Sequence, residues 1–191
     1  MKVADAIADY LATKGVTHAF GLVGGANSIL FHALSKRLEI VCVAHEQAAA
    51  MAATYYYRIC GRIAPVLPTA GAGQINTMTG VMAAHMDGIP LLVISGNEKS
   101  MYFKTPQQRG IGFQGFDPRR VVHSFVKHVE SVDNPYGAML ALDGLYRVAL
   151  APRQGACWVD IPQDVAAMEM NEVIPINAHK QIDPWRGGEL R

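Results

Sequence analysis

Charge of either sign is scarce in this 191-residue chain: 17% of residues are charged and the formal net charge is +1. With no basic or acidic block, the electrostatic footprint of a nucleic-acid binder is missing. No apolar run approaches the ~20 residues that cross a bilayer. The first ten residues place Asp5 and Asp9 in an amphipathic pattern, not in a charged-then-apolar leader. These features predict a cytoplasmic protein without a membrane or nucleic-acid partner. Cysteine is sparse. Cys42, Cys60 and Cys157 are far apart and form no CxxC pair, which argues against a disulfide framework or zinc site and for buried thiols serving as small hydrophobes. No dinucleotide pattern GxGxxG follows the first strand, and the nucleotide pattern GxxxxGK[ST] is absent.

Half of the residues are hydrophobic, enough for one well-packed domain. Apolar spacing predicts a helix over 3–14, with Gly15 to stop it, and a short strand near 18–22. A helix from Asn27, as cap, to 37, a strand over 40–43 and a helix over 45–60 follow. Next come a strand over 64–69, a glycine turn, a helix over 74–86 and a strand over 90–95. Residues 96–117 show no period. A strand over 124–129, a helix opened by Asn134 and Pro135 and running to 150, and a strand over 156–161 complete the pattern. Six strands alternating with helices predict an α/β fold: a doubly wound, six-stranded parallel sheet with helices on both faces. The domain is expected to occupy 1–168. Residues 169–191 are polar, with Pro175, Pro184, Gly187 and Gly188, and read as a C-terminal tail or linker.

Parallel sheets gather ligands at the carboxyl ends of their strands. Three segments fall there: 21–26, 44–47 and 68–74. Glu46 opens a helix directly after an apolar strand, where a carboxylate suits the helix dipole. Ala49, Ala50 and Ala53 share its face at i+3, i+4 and i+7. A face so bare lets another backbone or a flat ring approach, and leaves Glu46 poorly solvated and suited to sharing a proton. Met78, Met82 and Met86 form a stripe on the helix over 74–86, which reads first as core, with a partner protein supplying part of the cover.

Together these segments resemble the N-terminal pyrimidine-binding (PYR) domain of thiamine diphosphate (ThDP) enzymes, nearest the branch of acetohydroxyacid synthase and benzaldehyde lyase. The resemblance covers about 1–168. It rests on Phe20-Gly21-Leu22-Val23-Gly24-Gly25-Ala26, His45-Glu46-Gln47-Ala48-Ala49-Ala50, Thr69-Ala70-Gly71-Ala72-Gly73, Asn76-Thr77-Met78-Thr79-Gly80 and Asp87-Gly88-Ile89-Pro90, in that order. Phe113-Gln114 before Asp117-Pro118, and then Val159-Asp160-Ile161-Pro162-Gln163-Asp164-Val165, continue it. It implies that Glu46 bonds N1′ of the aminopyrimidine and relays the proton that activates the cofactor, which then attacks a 2-keto acid. It also implies that Leu22, Val23, Thr69, Ala72 and Asn76 line the pyrimidine pocket, and that Gln114 reaches toward the reacting end.

The chain departs from the family at several places. Val23 and Ala72 stand where Pro is common, Met51 where His is common, and Gly115 where an acid often follows the loop Gln. No His-His pair occurs, which favours carboligation of the acetolactate synthase type over simple decarboxylation. The family holds Mg²⁺ and the diphosphate through a GDG…N motif in a second (PP) domain, and this sequence has no GDG. The resemblance therefore implies either a fragment of a longer enzyme or a split enzyme, in which a PP-bearing partner subunit holds Mg²⁺ in an α2β2 assembly; the chain itself is expected to hold no metal. A 2-keto acid decarboxylase subunit and a non-catalytic scaffold module remain the alternatives.

Overall fold

The computed structural model describes residues 1–104 and 110–170. Eight helices and six strands are described: α1 Val3–Thr13, β1 His18–Gly21, α2 Ser28–Leu34, β2 Glu39–Cys42, α3 Glu46–Cys60, β3 Val66–Leu67 and α4 Ala72–Met86. There follow β4 Leu91–Asn97, α5 Ser100–Phe103, α6 Arg119–Val122, β5 His128–Ser131, α7 Pro135–Leu150, β6 Ala156–Pro162 and α8 Gln163–Ala167. The strands form one sheet in the order β2-β1-β3-β4-β6-β5, and every pairing is parallel.

The strand sequences explain why helices cover both faces. All seven residues of β4 and all seven of β6 are buried. Alternate side chains of each strand enter two separate cores. Leu92 and Ile94 of β4, with Cys157, Val159 and Ile161 of β6, pack with α1, α2, α7 and α8. Leu91 and Val93, with Ala156 and Trp158, pack with α3 and α4. The doubly wound sheet expected from the sequence is therefore present.

Local chemistry sets the ends of the elements. Asn134 caps α7, its Oδ1 accepting from Gly137 N at 2.7 Å, with Pro135 in the first turn, as the sequence predicts. Gly15 and Gly61 adopt positive φ just beyond α1 and α3. Asn27, expected as the cap of α2, makes no cap hydrogen bond. Instead it is fully buried. Its Oδ1 accepts from Gly24 N at 2.7 Å, and its Nδ2 donates to Leu22 O at 3.1 Å and Leu67 O at 2.9 Å. It thus joins the turn after β1 to the end of β3.

Three other expectations need correction. Cys42 and Cys60 are exposed, and only Cys157 is a buried thiol; Cys42 ends the edge strand β2 and Cys60 ends α3. The fifth strand starts at His128, not 124, and a short helix, α6, precedes it. The irregular stretch contains α5. The expected tail or linker lies outside the described residues from 171 onward; residues 168–170 run against the N-terminus, with Val3 N donating to Met168 O and Met170 N to Met1 O. No helix among the described residues is long and apolar enough to cross a membrane.

Candidate cofactor site

The sheet turns back at β1: β2 lies on one side of it and β3 on the other. Such a switch point opens a crevice at the carboxyl ends of the strands. The turn after β1, the start of α3 after β2 and the turn after β3 all meet there.

Glu46 is the first residue of α3 and only 5% exposed. His45 precedes it in extended conformation and caps the helix, Nδ1 accepting from Gln47 N at 3.2 Å. Asn76, one turn into α4, donates from Nδ2 to Glu46 Oε2 at 3.0 Å. No hydrogen bond to Oε1 is made by the described residues. A Cβ on Gly73 would sit 3.0 Å from Glu46 Oε1 and 3.0 Å from Thr69 Cγ2, so the bare glycine leaves the space that the carboxylate occupies. Thr69 Oγ1 is buried without a hydrogen-bond partner. The turn after β1 closes on the same residue, since a Cβ on Gly24 would collide with Thr69 at 2.6 Å.

The small residues of α3 serve a definite contact. A Cβ on Gly80 of α4 would meet Ala50 Cβ at 2.5 Å and Met51 N at 3.1 Å, so the two helices touch nearly backbone to backbone. That closeness is what brings Asn76 within reach of Glu46. Ala49 and Ala53, on the bare face expected to admit another backbone or a flat ring, are sealed inside the chain's own second core. The methionine stripe divides. Met78 is half-buried against that core, whereas Met82 and Met86 are exposed.

The other expected residues fall around this centre. Leu22 is half-buried and Val23 is exposed at the turn after β1. Ala72, exposed, is the first residue of α4. Gln114 is exposed, and its backbone carbonyl presses on Gly71, which has φ +69° and no room for a Cβ. Thus Glu46, Thr69, Asn76 and the turn carrying Ala72 are brought together, with Gln114 above the turn.

Behind the turn lies a polar group the sequence reading did not single out. Asp160 of β6 is fully buried and accepts from Ser95 Oγ at 2.6 Å, Gln74 Nε2 at 2.7 Å and Asn97 Nδ2 at 2.7 Å. Trp158 Nε1 donates to Ser95 Oγ at 2.8 Å. Burial pushes the Asp160 carboxyl up to about 7, against the lowering effect of the Ser95 and Asn97 hydrogen bonds. A carboxylate within an otherwise apolar strand was the available signal. Among the described residues, no cluster of His, Cys, Asp and Glu is arranged to hold a metal ion.

The family model described as "Thiamine pyrophosphate enzyme, N-terminal TPP binding domain" matches residues 1–117. The acetolactate synthase large subunit of Corynebacterium glutamicum is 33% identical over 177 residues, covering 92% of this chain and 28% of that protein. The acetolactate synthase of Bacillus subtilis is 33% identical over 172 residues, 89% of this chain and 28% of the relative. The mitochondrial acetolactate synthase of Schizosaccharomyces pombe is 33% identical over 170 residues, 88% and 25% respectively. The chain thus spans only about a quarter to a third of the length of these relatives. With this match over 1–117 and a parallel six-stranded sheet, the chain belongs to the thiamine pyrophosphate enzymes, as an N-terminal TPP-binding domain.

Proposed function

We propose that the chain is the pyrimidine-binding component of a ThDP-dependent carboligase acting on a 2-keto acid, with Glu46 as the activating carboxylate. The observation that carries this reading is the state of Glu46: buried, fixed through Oε2 by Asn76, and with Oε1 given no donor by the described residues. The flat, nitrogen-edged aminopyrimidine fits such a place. Thr69 Oγ1 is a second polar atom without a partner beside it. Val23 and Ala72 offer small apolar surface at the rim.

When bound, ThDP supplies a thiazolium that acts as an electron sink. The chain's own part is smaller. Asn76 orients the carboxyl group. Glu46 holds and passes one proton at Oε1. Val23 and Ala72 would shield the bound ring from water, and Gln114, in the loop whose carbonyl meets Gly71, would contact the bound group from above the turn. The activity named for the relatives, acetolactate synthase, supports carboligation over decarboxylation.

The diphosphate and Mg²⁺ are held, in this reading, by a PP domain on a partner chain, two copies of each chain forming the enzyme. The exposed apolar side chains of α3 and α4 support such docking. Met51, Tyr55 and Ile59 run along α3, and Ile75, Met82 and Met86 along α4. The test is calorimetric titration of ThDP with Mg²⁺. Mg²⁺-dependent binding is expected only when the PP-bearing chain is present. Micromolar binding by this chain alone overturns the shared site.

A further inference from the structure

Two amide side chains meet the two oxygens of one buried carboxyl group. Gln74 Nε2 donates to Asp160 Oδ1 and Asn97 Nδ2 to Asp160 Oδ2, each at 2.7 Å. All three residues are fully buried. Each amide then reaches a different stretch of backbone. Gln74 Oε1 accepts from Gly71 N at 3.3 Å. Asn97 Nδ2 also donates to Phe116 O at 2.9 Å, and Asn97 Oδ1 accepts from Glu98 N at 2.9 Å. The two stretches touch one another where the Gln114 carbonyl presses on Gly71.

The chemistry at Glu46 uses none of these groups. An apolar side chain of similar volume is often at least as stabilising as a buried ion or its network, so packing alone gives Asp160 no reason to be acidic. Its geometry does. One arm ends at the turn over 71–73, directly before the Asn76 that holds Glu46. The other ends in the loop carrying Gln114. A buried network in which each donor is matched fixes a single arrangement.

We infer that Asp160 is a positioning residue for both halves of the site: through Gln74 it sets the turn and the start of α4 that orient Glu46, and through Asn97 it sets the loop that carries Gln114. The inference rests on the proposed cofactor reading for its consequence, but not for its structural content.

Hydrogen exchange and kinetics on the full-length protein assembled with its partner separate the two. Gln74→Leu is expected to speed exchange about tenfold at 71–76 alone, and to raise the half-saturating ThDP concentration. Asn97→Ala is expected to do the same at 111–117 alone, and to raise the half-saturating concentration of pyruvate, the probe substrate. Asp160→Leu produces both effects, with β1 (18–21) exchanging as in the wild type. If Asp160→Leu leaves either segment unchanged, or if any variant loosens β1 equally, the inference is overturned. Should Asp160→Leu not fold, the two single-arm variants decide by the same criterion: crossed or shared effects overturn the inference. The expected exchange pattern without any change in either half-saturation value supports the positioning network and overturns the cofactor reading.

Discussion

Asn76 Nδ2 lies 3.0 Å from Glu46 Oε2 and is the sole hydrogen-bond donor to that carboxylate among the described residues. Asn76→Ala is therefore expected to free the Glu46 side chain without harming the fold, since Asn76 is only half-buried. A hydrogen bond to a charged group is worth about 1.5–3 kcal/mol. ThDP-dependent turnover of the assembled enzyme should fall roughly 10- to 100-fold, while the thermal midpoint moves little. A turnover loss of less than threefold refutes the orienting role of Asn76.

Gly80→Ala should destabilise the protein although alanine is the better helix former. Propensity favours the substitution by about 1 kcal/mol. The new Cβ, however, would lie 2.5 Å from Ala50 Cβ and 3.1 Å from Met51 N, and overpacking of this kind costs about 1–3 kcal/mol. The overlap is partly with backbone, so the steric cost prevails. The expected drop in thermal midpoint is several degrees. An unchanged or raised midpoint shows that α3 and α4 can separate freely.

Much of this architecture is legible in the sequence, for reasons that also mark where reading stops. β4 and β6 are continuous apolar runs flanked by turn residues, so they announce buried strands. Glu46 is placed by an apolar strand before it and an alanine-rich helix after it. The meaning of those alanines was only half readable: the face admits a backbone, and it is that of α4 at Gly80. Short elements such as α5 and α6 have four residues each, too few to show a period. β5 is a half-buried edge strand, so no apolar run marks its start. The bond from Asn27 to Leu67 and those to Asp160 from Ser95, Asn97 and Gln74 span 40 to 86 positions, which no local pattern reveals.

Raising the pH through neutrality should weaken the wild type relative to Asp160→Asn. Burial lifts the Asp160 carboxyl to about 7, from about 4 in the unfolded chain. Because the folded value is the higher, the stabilising difference is fully present below about pH 4 and is lost as pH rises through 7. The charged neighbours are Asp117, which pushes the value upward, and Arg119, which is bonded to Asp117 at 2.8 Å. Between pH 5 and 8 the wild-type advantage should shrink by on the order of 2–4 kcal/mol. Urea midpoints of both proteins at those two pH values check it. A difference independent of pH shows that Asp160 titrates in its ordinary range.

Met82→Glu tests the proposed docking face. Met82 is 47% exposed on α4, away from the Glu46–Asn76 pair. The folded chain should keep its stability within about 0.5 kcal/mol, as surface substitutions generally do. Association with the PP-bearing chain should weaken by at least tenfold, because a carboxylate is forced into an apolar contact. Unaltered association in analytical ultracentrifugation moves the interface elsewhere.

Glu46→Gln is the decisive substitution for the chemistry. It keeps the size of the side chain and the acceptor that faces Asn76 Nδ2. It removes the one group at this position able to carry a proton, since an amide donates a hydrogen bond without transferring it. Loss of a positioned proton-transfer group costs about 10²–10⁴-fold in rate. The fold should be retained or gain slightly, because a carboxylate only 5% exposed gives way to a neutral amide. The measurement pairs turnover of the reconstituted complex, with ThDP and Mg²⁺ saturating, against the thermal midpoint and assembly state of the same sample. Lost turnover with a normal midpoint and intact assembly assigns the proton relay to Glu46. Turnover within a few-fold of wild type reduces Glu46 to an acid that favours the first turn of α3, and the cofactor reading of the crevice falls with it.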